Sequence, residues 1–192
     1  MTELCIDTSG ATAVSIVRDG QVIGASRNES GRHHAESITP CVLEALEDAG
    51  LPTDVSRAGL DAVCVGTGPA PFTGLRAGLV SARVFAKAAG IPVYGVCSLD
   101  AIARRALDHL SPDTHVYAFT DARRKELYWG HFVAEGPDDV RLIGQLEVGF
   151  ALLGERFANK PGSWCRMLPF LLTAARSWPV LRWDRCSRLI PR

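Results

Sequence analysis

One stretch of sixteen residues, from Val63 to Gly78, constrains the fold more than the rest of the chain does. Within it an apolar segment gives way to glycines and prolines, and a helical pattern begins directly after them. This order predicts a strand, a tight turn and the start of a helix, as in α/β proteins. Gly68 has access to backbone angles that are closed to other residues, and Thr73 stands where a helix N-cap is expected.

In many α/β proteins a turn of this kind binds an anion, because the N–H groups of the helix start point at the ligand. Pro69 and Pro71 have no N–H, so this turn offers fewer donors than a phosphate site needs. The sequence also lacks the Walker pattern, in which two glycines are followed by Lys and Ser or Thr. The turn is therefore interpreted as a support that sets the direction of the helix after it.

The composition favours a folded protein without a global charge. Of the 192 residues, 47% are hydrophobic, and 21 basic side chains balance 21 acidic ones, so nothing draws the whole chain to nucleic acid. The six cysteines show no C-x-x-C spacing, which favours buried thiols over a disulfide framework or a zinc site. Neither a signal peptide nor a run of about 18 apolar residues is found, so the sequence predicts a cytoplasmic protein without a membrane span.

Predicted strands and helices alternate along the first two thirds of the chain. The chain opens with an antiparallel meander of three short strands, at 4–6, 13–17 and 22–25, with a hairpin turn at Asp19–Gly20. Helices are predicted at 31–50, 74–89 and 99–110, and further strands at 60–65, 93–96, 116–119 and 127–133. The strand–Asp–turn–strand order around Asp7 recurs around Asp121, which predicts two related domains. The predicted division is an N-terminal domain at 1–110, the start of a smaller domain at 111–150, and a tail at 151–192.

The tail differs from the rest of the chain in charge and pattern. Residues 151–192 hold eight Lys or Arg against two acids, and three of the four tryptophans. A basic segment with aromatic residues is typical of binding to single-stranded nucleic acid. The other interpretation is that GC-rich DNA is translated here in the wrong frame. The second is favoured, because no helical or strand period runs from Pro161 to Arg192.

No convincing catalytic set emerges from the sequence. Neither a G-x-S-x-G elbow nor an H-E-x-x-H pattern occurs. Asp7 and Asp121 are weak candidates for holding a metal–nucleotide complex, although aspartates that hydrogen-bond the backbone of their own turns are the favoured interpretation. His33, His34 and Glu36 are interpreted as a polar helix start, because adjacent helical residues point in different directions and cannot line one metal site.

The helix predicted at 74–89 carries a line of small residues four apart: Gly74, Gly78, Ala82 and Ala86. Such a line lets another backbone approach closely. It packs either against the chain's own helix at 34–49 or against a partner subunit. The sequence alone favours the first interpretation, because most helix faces serve the core of their own chain.

Four stretches together resemble the TsaB (YeaZ) family: Leu4–Ser9, His34–Glu36, Gly68–Gly78 and Asp121–Tyr128. The third is the most specific, all four stand in the family's order, and the similarity covers residues 1–135. One departure is Ala70, where the family's usual loop has glycine; an alanine strains the loop if that position needs a positive φ. The tail after residue 150 is unlike the end of the family's second domain.

The resemblance implies an actin-like, RNase H-like ATPase fold with two domains, the second reduced. It implies a non-catalytic scaffold and activator in the formation of N6-threonylcarbamoyladenosine in tRNA. Such a subunit pairs with the catalytic paralogue TsaD, the small ATPase TsaE docks on the pair, and tRNA is reached through the complex. No cofactor is implied, and the two metal-binding histidines of the paralogue correspond to Ser98 and Ile102, which cannot coordinate as histidine does. The alternative is an ATP-dependent kinase-like or peptidase-like enzyme of the same superfamily.

The resemblance also reverses the preferred interpretation of the small-residue line. Family members pair through their first two helices, so the line is implied to form the partner surface together with His34 and Ile38, with a homodimer when the subunit is alone. Ala82→Arg is then expected to abolish pairing while the subunit stays folded. The loop that presents this surface consists of Gly68, Pro69, Phe72, Thr73 and Arg76. Phe72 is expected to fill the core beneath the loop.

Overall fold

The computed structural model describes residues 1–29, 34–111, 113–124, 126–150 and 163–166. Within them lie nine strands and three helices. In chain order they are β1 (Thr2–Asp7), β2 (Thr12–Arg18), β3 (Gln21–Asn28), α1 (His34–Asp48), β4 (Ala62–Gly66), α2 (Phe72–Ala89), β5 (Val93–Val96), α3 (Ser98–Leu107), β6 (Val116–Arg123), β7 (Glu126–Glu135), β8 (Asp139–Phe150) and β9 (Ser163–Arg166). None of the helices described is both long and apolar enough to span a membrane.

The first five strands form one sheet in the order β3-β2-β1-β4-β5. β1, β2 and β3 are antiparallel, which confirms the predicted meander, whereas β4 and β5 run parallel to β1. Asp19 and Gly20 form the first hairpin turn, with positive φ angles of 49° and 81° that suit the twist of the flanking strands. This strand order is that of the actin-like (RNase H-like) fold, as the resemblance implies.

The two helices α1 and α2 pack on one face of this sheet and enclose the larger core. Apolar residues reach it from alternate positions of the strands and from every third or fourth position of the helices. The core includes Leu4, Ile6, Val14, Ile16, Ile38, Val42, Leu46, Val63, Val65, Ala82 and Ala86. Gly24 on β3 lets α1 approach the sheet, because a Cβ there would lie 2.3 Å from the carbonyl oxygen of Ala45.

A second sheet, in the order β8-β7-β6-β9, holds a smaller core. Helix α3 packs on this sheet through Leu99, Ile102 and Leu107, which share a core with Val116 and Phe132. The helix therefore contacts the second sheet although its residues fall within the predicted first domain. The sequence analysis predicts β6 and β7 but misses β8. A signal for β8 exists, because apolar residues or glycine occupy its even-numbered positions from Val140 to Phe150 and most of its odd-numbered positions are polar.

The last strand lies in the basic tail, where the sequence predicts no regular element. That prediction is wrong for residues 163–166, because β9 pairs in parallel with β6, with Ser163 opposite Val116 and Arg166 opposite Phe119. The two interpretations of the tail, as out of frame or as nucleic-acid binding, fall on residues 151–162 and 167–192 and so lie outside the described residues.

Candidate partner interface

The helix α2 ends as the sequence predicts but begins differently. Gly90 follows its last residue with φ 69° and donates its N–H to the Lys87 carbonyl at 3.3 Å, which is a left-handed glycine cap. At the other end Pro71 occupies the N-cap position without a side-chain hydrogen bond, and Thr73 is exposed in the first turn. The prediction that Thr73 caps the helix is therefore wrong, because the helix already begins at Phe72.

The prediction that Phe72 fills the core beneath the loop is also wrong. Its side chain is 66% exposed, and the Arg76 guanidinium lies over its ring at 3.7 Å from the centroid. The interior of the loop is occupied by Ala70, which is buried, and by Leu75, because a Cβ at Gly68 would lie 3.1 Å from Leu75 Cδ2.

The backbone of the loop accommodates its sequence. Gly68 has a φ of 83°, which favours glycine, and the peptide bond between it and Pro69 is cis. Ala70 does not adopt a positive φ. The alanine at this position therefore causes none of the strain that a left-handed conformation would bring.

The line of small residues on α2 faces the interior of its own chain. Gly74, Gly78, Ala82 and Ala86 are all buried. The Thr8 hydroxyl donates to the Gly74 carbonyl at 2.8 Å, and a Cβ at Gly78 would lie only 2.3 Å from Thr8 Oγ1. The small residues are thus required where α2 crosses the end of β1, and further along the helix they share the core with α1.

The implied partner surface is therefore wrong for these four residues and for Ile38, which is fully buried in the same core. A residue without exposed surface cannot contact a partner unless its own core opens. Packing against the chain's own helix, which the sequence alone favours, is confirmed. His34 is the first residue of α1, and its side chain lies outside the described residues.

The solvent side of the same two helices carries large apolar side chains that the sequence interpretation missed. Their exposed fractions are 66% for Phe72, 62% for Val80, 59% for Val84 and 39% for Leu43. We call these four residues the outer helix surface. A signal for it exists in the sequence, because Val80 and Val84 are apolar, four residues apart, and outside the stripe that α2 buries. Apolar groups of this size on adjacent elements are typical of a protein–protein contact.

The two helices also differ in the charge of their exposed side chains. Those of α1 include four acids, Glu36, Glu44, Glu47 and Asp48. Those of α2 include three bases, Arg76, Arg83 and Lys87. A partner with a related helix pair, turned about a twofold axis, would place its basic helix beside this acidic one and its acidic helix beside the basic one.

The two candidate aspartates lie at strand ends and take part in local turns. Asp7 Oδ1 accepts a hydrogen bond from the Ser9 backbone N–H at 2.6 Å, and Asp121 Oδ1 accepts one from the Arg123 N–H at 2.8 Å. Aspartates that bond the backbone two residues further on stabilise turns. These hydrogen bonds agree with the interpretation that the sequence favours, in which both aspartates bond the backbone of their own turns.

Ser98 and Ile102 differ in surroundings, although both lie on α3. The Ser98 hydroxyl donates to Ser9 Oγ at 3.3 Å, and its backbone N–H donates to the Gly68 carbonyl at 2.8 Å, whereas Ile102 is buried in the core of the second sheet. Between them, burial raises the pKa of Asp100 to about 6. Burial likewise raises the pKa of the neighbouring Cys97 thiol to about 12. Burial at this end of α3 therefore disfavours the charged form of both side chains relative to water.

Comparison with known proteins places these features in a family. A sequence model of TsaD, described as tRNA N6-adenosine threonylcarbamoyltransferase, matches residues 22–146. The tRNA threonylcarbamoyladenosine biosynthesis protein TsaB of Escherichia coli is 35% identical over 133 residues, which cover 69% of this chain and 55% of that protein. The chain belongs to the TsaB (YeaZ) family. The solved structure of YeaZ from Pseudomonas aeruginosa agrees, with a TM-score of 0.70 and 28% identity over 87% of this chain and 84% of that one.

Other relatives are more similar in sequence. An uncharacterized protein of Mycobacterium tuberculosis is 49% identical over 146 residues, which cover 74% of this chain and 63% of that protein. The chain thus spans between about half and two thirds of the length of these curated relatives. The actin-like fold and the family predicted from the four sequence stretches are confirmed.

Proposed function

We propose that this chain is a scaffold subunit, without chemistry of its own, of the cytoplasmic complex that forms N6-threonylcarbamoyladenosine in tRNA. Its partner is a catalytic subunit of the TsaD type, and an ATPase of the TsaE type docks on the pair. Family membership supports the pathway, because the curated E. coli relative is named as a tRNA threonylcarbamoyladenosine biosynthesis protein. The tRNA is then reached through the complex.

The observation that carries the pairing is the outer helix surface. Val80 and Val84 expose about three fifths of their side chains on the same side of α2, with Phe72 at its start. Exposed apolar residues that become buried supply most of the binding energy at the centre of an interface. The acidic α1 and the basic α2 add a charge pattern that orients a paralogue with the same helix pair.

Co-purification with the TsaD-type subunit of the same organism tests the pairing. The double variant Val80→Asp/Val84→Asp introduces two charges into the proposed contact while leaving the buried side of α2 intact. We expect the affinity to fall at least about 100-fold, because two buried contacts of about 1.5 kcal/mol each are lost. The circular dichroism spectrum of the variant should match that of the wild type.

Val148→Asp is the matched control, because Val148 is 57% exposed on the edge strand β8 and so resembles Val84 in exposure. It should leave pairing unchanged. Wild-type affinity in the double variant would contradict the proposed interface. Sedimentation of the lone subunit shows whether the same surface forms a homodimer, which the double variant should then reduce to a monomer.

A calorimetric titration with ATP–Mg separates the scaffold from the kinase-like alternative. A scaffold without chemistry of its own should release no heat of binding when it is alone. Stoichiometric binding by the lone subunit would contradict the scaffold role, whatever the result of the pairing experiment.

We further propose the domain division at 1–110, 111–150 and 151–192. Limited proteolysis should cut first near residues 108–115, where α3 has ended and β6 has not begun. Deleting residues 167–192 tests the hypothesis that the tail binds tRNA. Loss of tRNA affinity in the assembled complex would support that hypothesis over the scaffold with indirect tRNA contact.

A further inference from the structure

The face of the first sheet opposite α1 and α2 brings together three side chains that can bind a metal. Glu3 and Cys5 stand two residues apart on β1 and so point to the same side. Cys64 on β4 lies directly opposite Cys5 in the parallel register. The carboxylate oxygen and the two sulfur atoms all lie within 4.8 Å of one another. The cysteines stand 59 positions apart in the sequence, so their spacing alone does not reveal the cluster.

The carboxylate of Glu3 is the unusual member of this group. The residue is only 4% exposed. Burying a carboxylate is costly, whereas a bound cation would compensate for its charge.

Both cysteines are buried and bear thiols. Their exposed fractions are 7% for Cys5 and 3% for Cys64, and Val17 packs against the pair. A cavity of about 20 Å³ borders both cysteines on the side away from Glu3, where Asp7 and Gly66 also line it. This volume suffices for about one water molecule.

We propose that Glu3, Cys5 and Cys64 form a zinc site that ties β1 to β4, with a water molecule in the adjoining cavity as the fourth ligand. Two thiolates favour zinc or copper(I) over magnesium and calcium, and the carboxylate oxygen favours zinc over copper(I). Zinc–sulfur bonds of about 2.3 Å place tetrahedral ligands roughly 3.7 Å apart, so the three side chains approach by about 1 Å at most on binding.

Zinc binding is an exchange of protons for the metal ion. Each thiol loses its proton to solvent as the sulfur binds the ion, and the carboxyl group does so when it is protonated. No oxidant or reductant takes part, and no bond other than the coordinate bonds is formed. The ion would link β1 to β4 in the folded chain, so zinc binding should raise the thermal unfolding temperature.

Cobalt(II) is the probe, because thiolate ligands give it an intense near-ultraviolet charge-transfer band that zinc removes by competition. The full-length protein is freed of metal with a chelator and titrated under reducing conditions. We expect one cobalt ion per chain. Cys5→Ser and Cys64→Ser should each lose the thiolate band and bind zinc more than about 100-fold more weakly, since even a supporting residue of a metal site costs 10–100-fold.

Cys41→Ser is the matched control, because Cys41 is equally buried but belongs to the core on the other face of the sheet. It should keep the band, as should the double variant Cys165→Ser/Cys186→Ser in the tail. Should the variants at Cys5 and Cys64 fail to fold, Glu3→Gln decides, since it keeps both thiols and should weaken zinc binding about 10-fold. Absence of the band from the wild type, its persistence without Cys5 or Cys64, or unchanged zinc affinity in Glu3→Gln would overturn the proposal.

Discussion

The two sides of α2 use opposite kinds of residue. The inner side consists of Gly74, Gly78, Ala82 and Ala86, and all four are buried. The outer side exposes Phe72, Val80 and Val84. Small residues therefore mark the place where the helix meets its own chain at close range, and large apolar residues remain in solvent. Residue size indicates how closely another backbone approaches, but it does not say whether that backbone belongs to the same chain.

The largest expected effect on the free energy of unfolding comes from a substitution on the inner side of α2. Ala82→Arg places a long charged side chain where the wild-type residue is fully buried. It should lower the free energy of unfolding by at least about 4 kcal/mol, because the core has neither the space nor a partner for the charge. Urea denaturation of the purified variant measures the change.

Val84→Arg is the comparison variant, since it adds the same side chain two positions away at a residue that is 59% exposed. Its free energy of unfolding should stay within about 0.5 kcal/mol of the wild type. Equal destabilisation by the two variants would contradict the assignment of the two sides, as would a folded Ala82→Arg that only loses its partner.

A smaller effect tests why the inner side must be small. Gly78→Ala places a Cβ 2.3 Å from Thr8 Oγ1, so the two elements have to move apart. We expect a loss of about 1–3 kcal/mol, although alanine favours a helix by about 1 kcal/mol over glycine. In the Thr8→Ala background the obstructing hydroxyl and methyl groups are gone, and the same change should be neutral or stabilising. The double-mutant cycle in urea measures this coupling, and additive effects would refute the contact.

Sequence patterns determine the elements of the first sheet well because these depend on local chemistry. The turn at Asp19–Gly20 and the cap at Gly90 both need a positive φ, and both are found where the sequence predicts them. The direction of the small-residue line also follows from the helical period. The implied partner surface failed because a resemblance to paired proteins names the helices that pair without distinguishing their two sides.

Features that depend on tertiary contacts escape the sequence. The prediction that Phe72 fills the core rests on its hydrophobicity, but Leu75 and Ala70 already occupy the interior of the loop. The proximity of Cys5 and Cys64 arises from the pairing of strands whose cysteines stand 59 positions apart in the sequence. No local sequence pattern indicates either contact, so these parts of the candidate site could be identified only from the structure.

A third prediction extends the comparison to α3. The first turn of α3 faces the protein interior, whereas the first turn of α2 faces solvent. Burial raises the pKa of Asp100 to about 6 from an unfolded value near 3.8, so the folded state binds more protons between these pH values. The free energy of unfolding contributed by Asp100 should therefore fall as the pH rises from about 4 to 6 and stay constant above. We expect a fall of about 1–2 kcal/mol after allowance for partial exposure.

Asp100→Asn should remove this part of the pH dependence, because the amide does not titrate. Urea denaturation at pH 4, 5, 6 and 7 gives the difference between the wild type and the variant, in which the contributions of all other groups cancel. A difference that is independent of pH would mean that Asp100 titrates in the folded chain as it does in water.

The smallest expected effect concerns the start of α2, where the outer side begins. Thr73 is exposed in the first turn, and the N-cap position belongs to Pro71, which has no side-chain hydrogen bond to give. Thr73→Ala should therefore change the free energy of unfolding by less than about 0.5 kcal/mol, whereas loss of a threonine N-cap costs about 1 kcal/mol or more. Thermal and urea unfolding resolve the two values. A loss of 1 kcal/mol or more would restore Thr73 as the cap and would move the start of the helix, and with it the boundary of the outer helix surface, beyond Phe72.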